Sequence, residues 1–384
     1  MKTQPSDKPV RRFAVGLALA ALTLAQGLAH AAEIAVAQVA PLSGVLASTG
    51  QQMVLGGKIY FDWVNANGGV HGARIKHIVV DDAYKVDETV RLTREVLANP
   101  EVVALFGFAG TANITKLLTD GVLDAGGAPL VAPYTGGEPL RNPFNPHIFH
   151  VRAGYADEAE HMVNQVSTLG MNRIAVMYQN DGFGKAGLAG VEAAVARRNM
   201  KLVESASYER NTDEVADAVK KMMAADPQAV IMISVNRSTA AFAKQYRAAG
   251  GGAQLYNISV VDPAELVKLA GAKAVHGLGI TQVVPYPFGA NKPAVREYQT
   301  LLKKYGGGQA ASYTSFEEFL GAKVLVEGLR RAGPAPTRAK LAKALESLDN
   351  FDLGGTQVQF SPNNRQGSKF VEVTVIGASG KLLR

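Results

Sequence analysis

The sequence of 384 residues contains no cysteine. This absence excludes disulfide-stapled scaffolds, zinc–thiolate modules, iron–sulfur clusters and a cysteine nucleophile. The chain also lacks any run of five or six like charges. Clustered basic side chains are the electrostatic footprint of nucleic-acid-binding proteins, so we expect no nucleic acid as a partner.

Sequence motifs of catalysis are also absent. The chain has no G-x-S-x-G elbow, no G-x-x-x-x-G-K-[ST] loop and no H-E-x-x-H pair. His147 and His150 are three residues apart in a predicted strand, where that spacing places side chains on opposite faces. We therefore predict no catalytic residues, no metal and no cofactor, and expect that the protein is not an enzyme.

The N-terminal segment has the three parts of a secretory signal peptide. An apolar run at 13–25 precedes an A-x-A site at 29–31, and four basic residues come before the run: Lys2, Lys8, Arg11 and Arg12. The alternative, a membrane anchor, needs about 20 apolar residues, more than this run supplies. A twin-arginine signal would use Arg11 and Arg12, but the surrounding pattern is incomplete. We predict a signal peptide over 1–31.

Removing residues 1–31 changes the charge of the chain. The full sequence has 40 Lys+Arg and 33 Asp+Glu, a net charge of +7. Without the four basic residues and Asp7 of that segment, 36 basic and 32 acidic residues remain, a net charge of +4. The rest of the chain contains no apolar stretch of transmembrane length, so the mature protein should be free in an exported compartment.

The remaining sequence alternates between short β-rich runs and helical patterns. At roughly 150 residues per domain, its length suggests two domains. The first series has predicted strands at 34–39, 75–80, 102–106 and 129–133. A second series follows a loop rich in Pro and Gly, with strands at 148–152, 173–178, 201–206, 229–235 and 254–259. Three helices at 293–305, 313–331 and 337–348 precede β runs at 356–360 and 369–376. This order predicts an α/β protein with two doubly wound parallel sheets.

Ligands of doubly wound sheets bind beyond the carboxyl ends of the strands, and three strand ends have suitable residues. Thr111 begins a predicted helix after 102–106, and it could hold an anion or only cap that helix. Tyr134 and Thr135 follow the next strand, as a ligand wall or as part of an ordinary turn. Asp157 follows 148–152 and could cap a helix or pair with a ligand cation.

A fourth pattern, Gly182-Phe-Gly184-Lys-Ala-Gly187, matches the G-x-G-x-x-G fingerprint of dinucleotide-binding sites. It lies in the second half of the chain and does not open the first sheet. An exported protein also meets little nicotinamide cofactor. Both arguments disfavour dinucleotide binding.

Several short segments, taken in order, resemble the leucine/isoleucine/valine-binding family of periplasmic solute-binding proteins. They are the signal peptide, Ile34-Ala-Val-Ala-Gln-Val-Ala-Pro-Leu-Ser-Gly44, Asn65-Ala-Asn-Gly-Gly-Val-His-Gly72, Asp81-Asp82, Gly107 with Thr111, and Val131-Ala-Pro-Tyr-Thr135. The resemblance implies the type I periplasmic-binding fold, two α/β lobes joined by three crossovers. It predicts that residues 32–153 plus 282–349 form the N-terminal lobe and that 154–281 plus 350–384 form the C-terminal lobe.

The resemblance also implies roles for particular residues. Thr111 and Ala112 would hold a ligand carboxylate, Tyr134 and Thr135 would lie beside it, and Asp157 would face a ligand ammonium group. In the second lobe, Phe183 matches the family's aromatic residue at a turn before a helix.

The sequence departs from the amino-acid-binding pattern at one point. Where such members carry a second acid, this chain has Ser259-Val260-Val261. The neutral second-lobe candidates Phe183, Asn236 and Val260 favour an apolar ligand body. Either an apolar α-amino acid, such as a branched-chain one, or an organic acid without an amine fits this pattern.

As implied by the family, we expect a monomeric protein in the periplasm that binds a small-molecule ligand and delivers it to an inner-membrane ABC permease. One alternative is a ligand-sensing subunit for a chemoreceptor or sensor kinase, which the sequence does not separate from a transport role. The other is an exported hydrolase, for which the sequence offers no nucleophile, base and oxyanion site together.

Overall fold

The computed structural model describes residues 1–3 and 32–384. The predicted signal peptide, 1–31, therefore lies outside the described residues except for its first three. Five parallel strands form the first sheet in the order β2-β1-β3-β4-β5. The elements of this part are β1 (Glu33–Ala40), α1 (Ala47–Ala66), β2 (Arg74–Asp81), α2 (Val86–Ala98), β3 (Val102–Phe106), α3 (Thr111–Thr119), α4 (Val122–Gly126), β4 (Leu130–Val131) and β5 (Ile148–Phe149).

The chain then enters a second sheet with its own helices. The elements are α5 (Tyr155–Thr168), β6 (Ile174–Gln179), α6 (Gly182–Ala196), β7 (Glu204–Tyr208), α7 (Ala216–Ala225), β8 (Ala229–Ile233), α8 (Asn236–Ala248), β9 (Gln254–Asn257), α9 (Pro263–Ala270), α10 (Ala272–Val275) and β10 (Gly279–Gln282). Strand β10 is absent from the strands that we predicted from the sequence.

The last part of the chain, from residue 293 onward, contributes helices that pack beside the first sheet and strands that join the second sheet. Their elements are α11 (Pro293–Tyr305), α12 (Tyr313–Ala332), α13 (Arg338–Glu346), β11 (Phe351–Asp352), β12 (Gln357–Val358), β13 (Glu372–Ile376) and β14 (Leu382–Leu383). The second sheet has the order β14-β13-β10-β9-β8-β6-β7. Strand β13 pairs antiparallel with both β10 and β14. The predicted α/β class is thus confirmed, with an antiparallel edge added to the second sheet.

The central strands are apolar because helices cover both faces of each sheet. Every residue of β3 and β8 is buried, as expected for strands of parallel sheets. Helix α12 is buried along most of its length and packs against α1. We call the unit around the first sheet, with α11 to α13, the first lobe, and the unit around the second sheet the second lobe.

The chain crosses between the lobes three times, at 150–154, 283–292 and 361–371. The third crossing comes later than predicted. Phe351, Val358 and Phe360 belong to the hydrophobic core of the first lobe, and the Phe360 ring meets Phe149 edge-on at 5.3 Å. The predicted boundary at residue 350 therefore falls too early, because alternation of strand and helix does not reveal which core a late β run joins.

No helix in the described ranges combines the length and the apolar character that crossing a membrane requires.

Candidate functional site

A small cavity lies between the lobes, beyond the carboxyl ends of strands from both sheets. The first lobe contributes Leu46, Thr49, Tyr84, Ala109, Gly110 and Tyr134 to its wall. The second lobe contributes Tyr155, Phe183, Val235 and Val260. Its free volume is about 20 Å³, close to what one water molecule needs. An organic ligand therefore fits only when the lobes part or the lining side chains move.

On the first-lobe side, a glycine links β3 to helix α3. Gly110 precedes the helix with φ 94°, a conformation that side chains disfavour. A Cβ there would also lie 2.5 Å from Asn113 Oδ1 and 2.8 Å from the ring of Tyr84. No described side chain caps α3. The free N–H groups of its first turn thus lie next to a residue of the cavity wall, where they favour an anion.

Two predicted site residues lie directly behind this wall. The hydroxyls of Thr111 and Thr135 are 2.6 Å apart, and both side chains are fully buried. Neither is among the residues that line the cavity. In the present conformation they bond to each other and fix the position of the α3 N-terminus relative to the loop after β4.

Tyr134 lies on the cavity wall, as its position at a strand end led us to expect. Its hydroxyl is 3.0 Å from that of Thr314 on α12, and the guanidinium carbon of Arg152 lies 5.2 Å from its ring centre. Burial raises the pKa of Tyr134 above its usual value. The residue is therefore a neutral hydroxyl on an aromatic wall.

The second-lobe side is aromatic and aliphatic. The rings of Tyr155 and Phe183 meet edge-on with centres 5.6 Å apart, and Val260 completes this wall. Asn236 lies beside the cavity and does not line it. Its amide donates to Thr49 Oγ1 at 3.3 Å, so it links the two lobes.

Two other predicted residues lie outside the cavity wall. Asp157 Oδ2 accepts a hydrogen bond from the Gly154 N–H at 3.1 Å, the capping arrangement that the sequence left open. Ala112 faces Gly182, where a Cβ would lie 3.5 Å from the Ala112 Cα. The N-termini of α3 and α6 thus face each other across the cleft.

The glycines of the G-x-G-x-x-G pattern have packing roles. A Cβ on Gly184 would lie 1.9 Å from the carbonyl oxygen of Gln179. A Cβ on Gly187 would lie 2.5 Å from the Ile233 side chain on β8. These glycines let helix α6 pack directly on its sheet, and the pattern arises without any need for a dinucleotide.

Sequence reasoning missed a contact across the cleft, made by Arg210. Its guanidinium donates to the Tyr84 carbonyl at 2.6 Å and to Asn113 Oδ1 at 2.7 Å, both in the first lobe. It also pairs with Asp181 at 2.5 Å and lies 3.7 Å from the centre of the Tyr84 ring. We call Arg210, Asp181, Tyr84 and Asn113 the cleft bridge. No motif marks Arg210, because its partners come from distant parts of the chain.

A buried charge network lies where the lobes join. Arg152 contacts Glu158 at 3.1 Å and Glu317 at 3.3 Å. Glu158 also accepts hydrogen bonds from the Ser259 N–H and the Thr281 hydroxyl. Burial raises the pKa of Glu317 to about 7, although Arg152 acts to lower it. We call Arg152, Glu158, Glu317, Ser259 and Thr281 the hinge network. The network connects the first crossing to α12 through Glu317, to the end of β9 through Ser259 and to β10 through Thr281.

Glu318, next to this network, should make stability depend on pH. Neither carboxyl oxygen has a hydrogen-bond partner, and burial, with the charge of Glu317, raises the pKa well above the usual value. The stability from the protonated group is fully present below the unfolded pKa and is lost as pH rises through the folded pKa. Glu318→Gln should therefore gain stability relative to wild type as pH increases from 5 to 9. Urea unfolding at several pH values measures this, and parallel pH profiles would contradict it.

Comparisons with known proteins agree with this architecture. A family model described as a periplasmic binding protein matches residues 33–381. A substrate-binding periplasmic protein from Ralstonia solanacearum is 39% identical, with a TM-score of 0.88 over 91% of this chain and 99% of that one. An extracellular ligand-binding receptor from Verminephrobacter eiseniae is 29% identical, with a TM-score of 0.85 over 92% and 100%. Leu/Ile/Val-binding protein homolog 7 of Brucella suis is 24% identical, covering 93% of this chain and 92% of its own length.

Proposed function

Because the chain belongs to the periplasmic binding protein family, we propose that it is an exported solute-binding protein of an ABC transporter. It captures a small carboxylate-bearing ligand between its lobes in the periplasm and delivers that ligand to an inner-membrane permease. It acts as a monomer in this role and performs no chemistry on the ligand.

The observation that supports this proposal best is the cavity, whose wall comes from both lobes. A ligand that contacts both walls binds the closed form better than the open form, and so shifts the population toward closure. The uncapped N-terminus of α3 next to Gly110 supplies N–H donors for a carboxylate. In this proposal the backbone N–H groups of Thr111 and Ala112, rather than their side chains, hold the carboxylate, and Tyr134, Phe183 and Val260 surround the ligand body.

The composition of the cavity wall argues against catalysis. Its ten residues include no histidine and no carboxylate, and Thr49 has its only aliphatic hydroxyl. A hydrolase would need a nucleophile paired with a base. Turnover of ester or amide substrates by the purified protein would contradict the proposal.

A ligand screen tests the binding role. The protein is refolded to remove bound ligand and screened by thermal shift against amino acids, keto acids, aromatic acids, sugars and polyamines. A ligand at 100 times its Kd should stabilise the fold by about 2.7 kcal/mol. For a hit, small-angle scattering should show a smaller radius of gyration on saturation, because the lobes close. Stabilisation by sugars or polyamines alone would contradict the carboxylate model.

A further inference from the structure

Building on the function proposed above, we propose that the ligand is a carboxylate with an apolar body and no ammonium group. The ten residues of the cavity wall carry no charge, and nearby acids already bond to other groups. Both features distinguish this protein from a binder of α-amino acids.

The cavity wall offers nothing that could pair with a positive charge. None of its ten residues carries a charge. Burial raises the pKa of Tyr84, Tyr134 and Tyr155, so all three are neutral hydroxyls at physiological pH. An ammonium group buried here would meet no counter-charge on the wall, and a buried charge without a counter-charge is strongly unfavourable.

Asp181, two residues before Phe183 of the second-lobe wall, is fully occupied. Asp181 Oδ1 accepts from the N–H groups of Phe183 and Gly184 at 3.0 and 3.1 Å. Asp181 Oδ2 accepts from Gln179 Nε2 at 2.8 Å and from Arg210 at 2.5 Å. Four donors occupy the lone pairs of this carboxylate, and one of them, the guanidinium, also neutralises its charge. Asp181 is therefore not available to pair with a ligand amine.

Three further acids near the cleft are also engaged. Glu158 and Glu317 pair with Arg152 in the hinge network. Asp157 caps α5 through the Gly154 N–H and lies off the cavity wall. Where an acid could have reached the ligand from the loop after β9, the wall is made by Val260. The site therefore offers the N–H donors at the N-terminus of α3 to an anion and an uncharged, largely apolar wall to the rest of the ligand.

Matched ligand pairs test this inference. Isothermal titration calorimetry compares 4-methyl-2-oxopentanoate with leucine and 3-phenylpropanoate with phenylalanine. In the pair whose side chain fits the cavity, we expect the amine-free acid to bind at least roughly 100-fold more tightly than the amino acid, because the amino acid must bury an unpaired charge. If the amino acid bound as tightly or more tightly, the inference would be overturned and the proposed binding role would stand. If neither member of either pair bound, both the carboxylate model and the inference would be rejected.

Two substitutions test the cause of the preference. Val260→Asp introduces a carboxylate at the wall and should shift the affinity ratio at least about tenfold toward the amino acid. Val260→Asn is similar in size and uncharged, and it should not shift this affinity ratio. If the two variants had equal affinity ratios, the missing counter-charge would not explain the preference. Asp157→Asn should change both affinities by the same factor. A selective loss for the amino acid would assign its ammonium group to Asp157 and overturn the inference.

Discussion

Arg152→Met is expected to lower the free energy of unfolding by about 3–5 kcal/mol, because it removes the only cation from a buried network. Arg152 is 1% exposed, and its partners Glu158 and Glu317 are 0% and 6% exposed. The variant would leave both carboxylates without their guanidinium partner. Urea unfolding followed by circular dichroism measures the loss.

Two further variants separate this effect from the simple loss of a long side chain. Adding Glu317→Gln to Arg152→Met removes one of the unpaired charges and should recover part of the lost stability. Arg94→Met removes an exposed arginine whose ion pair with Asp120 spans 3.7 Å, and should change stability by less than about 0.5 kcal/mol. If Arg152→Met were as mild as this control, the network would not stabilise the hinge.

Arg210→Ala is expected to weaken ligand binding roughly 100-fold. The guanidinium, on the second lobe, donates to Tyr84 and Asn113 of the first lobe, so separating the lobes would break these hydrogen bonds. Losing these charged hydrogen bonds should cost the closed form about 3 kcal/mol, and ligand binding depends on closure. Titration calorimetry and stopped-flow dissociation measure the effect, which should appear mainly as faster release of the ligand.

Two other arginine substitutions serve as controls for this prediction. Arg210→Lys keeps a charge for Asp181 but loses the planar fork that reaches two acceptors, so its affinity should lie between wild type and Arg210→Ala. Arg237→Ala removes an exposed arginine that pairs with Asp213 in the same lobe and should leave the affinity unchanged. An unaltered affinity in Arg210→Ala would show that the cleft bridge does not contribute to closure.

Bridge formation also depends on an uncommon backbone conformation. Ala83 and Tyr84 have φ values of 49° and 59°, a left-handed region that side chains rarely adopt. Asp82 Oδ1 accepts from the Tyr84 N–H at 2.9 Å and holds this turn. The turn aims the Tyr84 carbonyl at Arg210 and its ring at the cavity, so the same residue serves closure and the ligand wall.

Local sequence patterns predicted the elements that carry a strong periodic signal. The α/β order and the position of Tyr134 at a strand end follow from that signal, whereas Phe183 and Val260 were selected by the resemblance to the family. The structure places these three residues on the cavity wall. Their contact with a ligand stays a prediction. Strand β10 was missed because four residues give little pattern, and because it owes its place in the sheet to β9 and β13.

Other features depend on contacts between distant residues. Tyr84 and Arg210 meet across 126 positions of sequence, and Arg152 meets Glu317 from a helix far along the chain. For Asp157 the sequence allowed a cap or a ligand contact, and only coordinates could show the cap. Charge and spacing alone do not say which of several acids is already engaged.

The late crossing between lobes has a consequence for how the chain acquires its structure. Helix α12 fills the core of the first lobe, and β13 completes the pairing of β10 in the second. A ribosome adding about 5–20 residues per second must pass residue 313 before the core that contains α12 can begin to close, and residue 372 before β10 gains its antiparallel partner. We expect this α12-containing core to stay open for most of synthesis, and its folding to be governed by long-range closure. A chain truncated before β13 should leave β10 as an unpaired edge strand and should be cut by protease there faster than the full chain.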